Sequence, residues 1–497
     1  MTAYHQLERR FTRIAAVADA IGILNWDCQT MMPAGAAPGR VEQTATLHGL
    51  LHELQTDPRL EDLLSQAEAE HAGPDPWQRA NLREMRRSWL HAAAVPAELV
   101  EASSRASSEC EMVWRSARAA SDFALLRPSL EIVLERQREV GAAKATLLGG
   151  SPYEALLDAY EPGGRTAVID ALFDQVAGFL PELIERALEH QDSLPDPEPI
   201  PGPFPLEAQR TLGEHLMRAA GFDFERGRLD VSLHPFCGGA TGDTRITTRY
   251  AQEEFLSALF GVVHETGHAL YEQGRPEHWL FQPVGTARSM SIHESQSLLV
   301  EMQAARCRPF ITYLAPLAQQ TFGGEGACWS ADNLLRHVTQ VKRSFIRTEA
   351  DEITYPAHVI LRYRLEKAMV GGELAVADLP EAWAQGMRAL LGITPPDDRR
   401  GCLQDIHWPG GGWGYFPTYT LGAMTAAQMF DAACRDDAEL LPALGRGEFG
   451  PLVAWLRRQV HGHASLLTTE DLIESATGQP LNVAIYRRHL ERRYLER

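Results

Sequence analysis

Two histidines four residues apart, His264 and His268, lie in an apolar stretch running from Phe255 to Tyr271. Helical spacing puts residues i and i+4 on one face, so both imidazoles can reach one ion. Glu265 follows the first histidine about 100° around such a helix. From there its carboxylate can stand beside a metal-bound water. Zinc lowers the pKa of that water and the glutamate takes its proton, which is the chemistry of metal-assisted peptide hydrolysis. Two imidazoles and an acid on so apolar a helix are costly to bury without partners, and a metal is one such partner.

A catalytic zinc needs a third protein ligand and an open position. The candidate is Glu294, within Ser291-Ile292-His293-Glu294-Ser295-Gln296-Ser297 and 26 residues after His268, enough for a loop and a return into a second helix. Glu301, seven residues further on, is the reserve candidate, and Glu272, one turn past His268, reads as an outer partner. The continuation HExxHxxGxxH is absent, because Gly274 and His278 do not fit it. A carboxylate is therefore the better third ligand.

The elements that must position these groups are mainly helices. Tyr4, Leu7, Phe11, Ile14, Ala18 and Ile21 recur at three- and four-residue steps, one apolar helical face. Similar stripes run through 40–70, 75–120, 123–147, 165–190 and 206–221. They return through 252–273, 290–320, 331–350, 356–371, 378–392, 420–436 and 448–461. Pro195, Pro197, Pro199, Pro201, Pro203 and Pro205 preclude helix and predict an extended surface connection. One region changes period. Leu229–Leu233 alternates, as do Thr244, Ile246, Thr248 and Tyr250, with turn formers over Gly238–Asp243 between them. This predicts a β-hairpin beside the zinc motif.

The chain has 497 residues, 44% of them hydrophobic, and can bury a large core. Its formal charge of −19 argues against a nucleic-acid partner, which needs a clustered basic surface. The seven cysteines are scattered and form no CxxC pair, so they read as reduced structural thiols. Residues 1–14 carry Glu8, Arg9, Arg10 and Arg13 with no apolar stretch behind them. No run approaches the ~18 apolar residues of a membrane span. The expectation is a cytoplasmic protein with no membrane partner.

Several motifs, in order over roughly the second half of the chain, carry a family resemblance. They are His234-Pro235-Phe236, Asp243-Thr244-Arg245-Ile246-Thr247, His264-Glu265-Thr266-Gly267-His268 and His293-Glu294-Ser295-Gln296. Ile346-Arg347-Thr348-Glu349-Ala350-Asp351 and Gly401-Cys402-Leu403-Gln404-Asp405-Ile406-His407-Trp408 complete the series. The opening region, Trp26-Asp27 through Met31-Met32-Pro33, fits as well. The sequence resembles the carboxypeptidase Taq family of zinc metallocarboxypeptidases. The resemblance implies a mainly α, elongated, gluzincin-like subunit with a deep groove, paired as a homodimer. It also implies removal of single residues from peptide C-termini with broad side-chain tolerance. The zinc ligands carry over to His264, His268 and Glu294, the general base to Glu265, and cobalt is expected to substitute for zinc. We read residues 1–497 as one domain, with an N-terminal helical half to about 205 and a catalytic half from about 206.

The remaining motif residues have chemistry to match. A terminal carboxylate calls for an arginine fork, with Arg347 and Arg245 the candidates and Asp351 and Asp243 their alternative salt-bridge partners. An oxyanion needs a donor besides zinc: Tyr415 and Tyr419 beside a glycine-rich loop, then His407 and His234. Gln404, with His234, is placed on the substrate side, and Asp405 and Asp243 behind the site, Asp405 orienting a ligand histidine. Trp408 and Trp413 read as core. The rival enzyme reading is an oligopeptide endopeptidase or dipeptidase on the same plan, separated by the cationic carboxylate clamp. A non-enzymatic peptide binder would require loss of Glu265 or a ligand, and none is lost.

Overall fold

The computed structural model describes residues 2–70 and 75–496. Most of them are helical. The first helix, Ala3–Thr30, starts where the Thr2 side chain accepts the His5 N–H. Its Tyr4, Leu7, Phe11 and Ile14 pack against Leu60, Leu64 and Met85. Ala18, at the same helical spacing, is instead exposed. Several expected stripes are broken by proline or by backbone-capping acids. The stripe over 40–70 divides into Ala37–Gln55 and Arg59–Glu70, with Asp57 and Pro58 between them. Pro96 divides the next into Pro76–Ala93 and Ala97–Ala120. The stripe over 331–350 is helical only through Ala331–Val338, and its end is a short 3₁₀ turn, Arg347–Glu349. The proline segment is extended, as expected. Asn333 fastens it by accepting the Glu198 N–H at 2.7 Å and donating to the Glu198 carbonyl at 2.9 Å.

The sheet corrects one expectation. Strands β1 (Gly227–Val231), β2 (Cys237–Ala240) and β3 (Asp243–Thr248) lie in the order β1-β3-β2. The two segments expected to form a hairpin, around Leu229 and Ile246, run parallel as direct partners. The hairpin is β2 with β3, with Gly239 opposite Thr244. Gly238 and Gly239 read as turn formers but lie within β2, and the chain turns at Thr241-Gly242. Gly239 holds φ near +110°, a conformation that suits glycine. A Cβ on Gly22 would lie 2.4 Å from the Gly239 carbonyl oxygen, so the first helix lies directly on β2. The other face of the sheet meets the HExxH helix, Leu256–Gly274, through Leu229, Ile246, Val262 and Ala269.

Two larger cores hold the assembly. One surrounds the motif helix, joining Leu259, Val263, Leu270, Ile292, Met429 and Trp455. The other joins Phe123, Leu130 and Phe173 to Trp383, Trp408, Trp413 and Tyr486, tying segments from both halves of the chain together. The last helix, Val483–Leu495, is also held by a buried polar cluster. Glu352 accepts from His489 Nε2 and Arg493 at 2.8 Å each and from the Tyr494 hydroxyl at 3.2 Å. Those partners hold its carboxyl well below the usual range against the cost of burial. Truncating one member of such a buried cluster strands the others. Glu352→Ala should therefore lower stability by about 3–5 kcal/mol in urea unfolding, with an unchanged m-value. A loss below about 1 kcal/mol would show that the cluster contributes little.

Candidate functional site

The motif helix reaches the site because its own backbone can be approached closely. At Gly267 a Cβ would lie 2.5 Å from the Gln296 carbonyl oxygen, so the motif helix crosses Met290–Leu298 there almost in contact. Ser289 caps that second helix by accepting the Ile292 N–H. The crossing sets Glu294 opposite the two histidines. Glu294 Oε2 lies 3.4 Å from His268 Nε2 and 3.9 Å from His264 Nε2. Donor atoms of all three side chains lie within 4.8 Å of one another, the spacing of a cluster that could hold a metal ion.

The outer nitrogens of the two imidazoles are also engaged. His264 Nδ1 lies 3.0 Å from Glu301 Oε2, and Arg306 holds the other Glu301 oxygen at 2.6 Å. Glu301 is carried by a π-helical turn, Leu299–Ala305, that continues the Glu294 helix. It thus meets the far side of His264 and stands outside the three-atom cluster. His268 Nδ1 lies 2.6 Å from His293 Nδ1, and His293 Nε2 lies 2.9 Å from Glu272. Arg275 pairs with that glutamate at 2.7 Å.

The electrostatics are uneven. Burial alone would lower His264, but the Glu301 hydrogen bond and the charges of Glu294 and Glu265 lift it to about 10. Burial takes His268 down to about 4, against the pull of Glu294. Glu294 is drawn down to about 2 by its histidine partners despite burial. Glu265 is 6% exposed, and burial raises it to about 7. Three carboxylates, Glu294, Glu265 and Glu301, surround the two imidazoles, with Arg306 behind Glu301. A donor set of two nitrogens and one oxygen in that field fits a divalent cation.

These groups open on a cavity of about 910 Å³. Arg347, Tyr415, Tyr419 and His234 also line it. Arg347 is expected in a helix with Asp351 as its alternative partner, but the structure differs on both counts. It sits in the 3₁₀ turn, its Nε and NH2 each 3.0 Å from Asp405 Oδ1 and its NH1 donating to the Tyr355 hydroxyl at 3.0 Å. Asp351 instead accepts the Lys342, Ile353 and Thr354 N–H groups and closes a turn. Asp405 does not reach a ligand histidine, since its second oxygen is taken by Arg362 at 2.6 Å. Its nearest imidazole is His407, at 3.9 Å.

The other sequence candidates separate into two groups. Tyr415 and Tyr419 pack edge to face at 5.1 Å, with His407 Nε2 behind them, 3.4 Å from the Tyr419 hydroxyl. His407 lies outside the cavity lining, as do Gln404, Arg245 and Asp243. Gln404 accepts the Arg347 N–H at 2.8 Å and donates to the Phe345 carbonyl at 3.1 Å, joining two loops. Arg245 pairs with Asp243 on β3 and lies 4.4 Å over the Trp26 ring. Trp408 and Trp413 are buried and stacked at 5.6 Å, as expected of core. Sequence reasoning missed Tyr355 and Arg362. Tyr355 lies in no recognised motif, and Arg362 is an arginine inside a buried helical stripe, the one usable signal.

Mostly helical architecture with an HExxH helix crossed by a glutamate-bearing helix defines the class as metal-dependent peptidase. The family model described as carboxypeptidase Taq (M32) metallopeptidase matches residues 6–494, and the chain belongs to that family. Thermostable carboxypeptidase 1 of Thermus thermophilus is 40% identical over 504 residues, covering 99% of this chain and 98% of that protein. Carboxypeptidase 1 of Bacillus subtilis is 35% identical over 497 residues, with the same coverage. Among solved structures, Trypanosoma cruzi metallocarboxypeptidase 1 superposes with a TM-score of 0.97 at 40% identity, covering 99% of both chains. The M32 carboxypeptidase of Deinococcus radiodurans R1 gives 0.93 at 34% identity, again over 99% of both. The chain is thus a metallocarboxypeptidase, a peptide hydrolase that requires a divalent metal, and the endopeptidase reading gives way.

Proposed function

We propose that the metal is zinc, held by His264, His268 and Glu294, and that the enzyme releases C-terminal residues of varied side chain from peptides. The observation that carries this reading is the convergence of three donor atoms within 4.8 Å on a cavity that Glu265 and Arg347 also line. When bound, the metal supplies Lewis acidity, acidifying water and polarising the scissile carbonyl. Glu265 accepts the proton of the attacking water at its carboxylate and returns it to the leaving amine. Tyr355, Tyr415 and Tyr419 are kept protonated by burial, so their hydroxyls can donate to a developing oxyanion. Arg347, steadied by Asp405 and Tyr355, takes the terminal carboxylate.

Chelation should abolish activity, and zinc or cobalt should restore it. The direct test is mass spectrometry of a peptide incubated with stripped and reloaded protein. A ladder shortened from the C-terminus, with side chains of several classes removed, supports the reading; an internal cut rejects it. His264→Ala should lose stoichiometric metal by elemental analysis, and full occupancy in that variant would sink the ligand set. A cytoplasmic homodimer completes the reading; the pairing rests on the family resemblance, and the compartment on seven scattered cysteines that form no CxxC pair. Light scattering should give twice the chain mass, and a concentration-independent monomer would refute the pairing.

A further inference from the structure

The two histidines proposed as ligands have different outer partners, and one of these has no assigned role. His264 meets a carboxylate, Glu301. His268 meets another imidazole, Nδ1 to Nδ1 at 2.6 Å. Two facing nitrogens at that distance share one hydrogen, so one ring donates and the other accepts. Which ring donates is set by what lies beyond. His268 Nε2 faces Glu294 and must be bare to ligate, which leaves the ring hydrogen of a neutral His268 on Nδ1. His293 Nδ1 must then accept, and its own hydrogen belongs on Nε2, 2.9 Å from Glu272. Glu272 is an acceptor only, and Arg275 keeps it ionised at 2.7 Å. Every donor finds an acceptor in one direction along the chain, and the opposite direction would set the His293 nitrogen lone pair against a carboxylate.

The geometry points to His293 as a positioning residue that fixes the ligating tautomer of His268, itself fixed by Glu272 and Arg275. The inference rests on the proposed metal site. It makes the support of the two ligands unequal: a carboxylate behind His264, an imidazole behind His268. Outer partners of ligand histidines commonly control metal affinity by about 10- to 100-fold, and the effect here should come from the acceptor at Nδ1 alone.

The test uses the zinc-loaded enzyme. Long-range nitrogen–proton spectra of histidine-labelled protein should show His293 with Nδ1 bare and a hydrogen on Nε2, and a hydrogen on His293 Nδ1 overturns the proposal. Chelator competition should then separate two variants. His293→Asn keeps an acceptor oxygen near the Nδ1 position and should bind zinc within about 3-fold of wild type, whereas His293→Leu should bind about 10- to 100-fold more weakly. The visible bands of the cobalt form should shift in the leucine variant, a readout that loss of packing alone would not move. Unchanged affinity and bands in His293→Leu, or an asparagine variant as weak as the leucine one, overturns the inference. Should the leucine variant fail to fold, the asparagine variant and the wild-type spectrum decide. Failure of the underlying site looks different: wild type would not hold one metal per chain, or His268→Ala would hold it equally well.

Discussion

Glu265→Gln should retain its metal and lose about 10²–10⁴-fold in kcat, with KM little changed. Glutamine has the shape of glutamate, so the packing around this 6%-exposed side chain is kept. Glu265 also stands outside the cluster of His264, His268 and Glu294, so metal content should not follow the substitution. What is lost is the ability to take a proton. The Glu265 carboxylate lines the cavity beside the ligand cluster, where it can take the proton of the attacking water. The amide cannot accept a proton there at all. Glu265→Asp should fall between the two, because a carboxylate remains but is withdrawn by one methylene. Steady-state kinetics with elemental analysis on the same preparations checks the prediction. Near-normal turnover in Glu265→Gln would reject Glu265 as the base.

The HExxH helix was legible because its information is local: two histidines at i and i+4 need only a helix to share a face. Glu294 was legible through the length of chain needed to come back, and the crossing at Gly267 shows how the return is made. Partnerships formed at long range were not legible. Nothing near Asp405 says that Arg362, 43 residues earlier, will claim its second oxygen. The parallel pairing of β1 with β3 likewise depends on β2 taking the other edge, and glycine pairs read locally as turns. Glu301 shows a third kind of miss. Seven residues on from Glu294, an unbroken α-helix would return Glu301 to the same face as a reserve ligand, but the π-helical turn changes that period between them. The carboxylate therefore meets the outer nitrogen of His264.

Arg347→Ala should lower kcat/KM for free-acid peptides by about 2–5 kcal/mol, roughly 30- to 5,000-fold, with the metal still bound. Nothing in HExxH chooses which end of a peptide is cut. A carboxypeptidase must recognise one carboxylate about a residue beyond the scissile bond, in a site where an unpaired charge is penalised. Arg347 lines the cavity with its side chain 9% exposed. Its charge is not cancelled in place, because Asp405 is divided between Arg347 and Arg362: two cations share one anion. The surplus positive charge awaits an anion from the substrate, and Asp405 and the Tyr355 hydroxyl hold the guanidinium still for it. Removing Arg347 leaves both Asp405 and the incoming carboxylate short of a partner. Arg347→Lys should recover part of the loss, since the charge returns without the planar fork. C-terminally amidated peptides should be poor substrates for the wild type and nearly indifferent to Arg347→Ala. That pairing separates recognition from general damage, because a misfolded variant would lose both substrates alike. Equal cleavage of acid and amide by the wild type would reject Arg347 as the carboxylate clamp. A loss in Arg347→Ala that is as large for amides as for acids would assign the residue to the fold of the loop and not to the substrate.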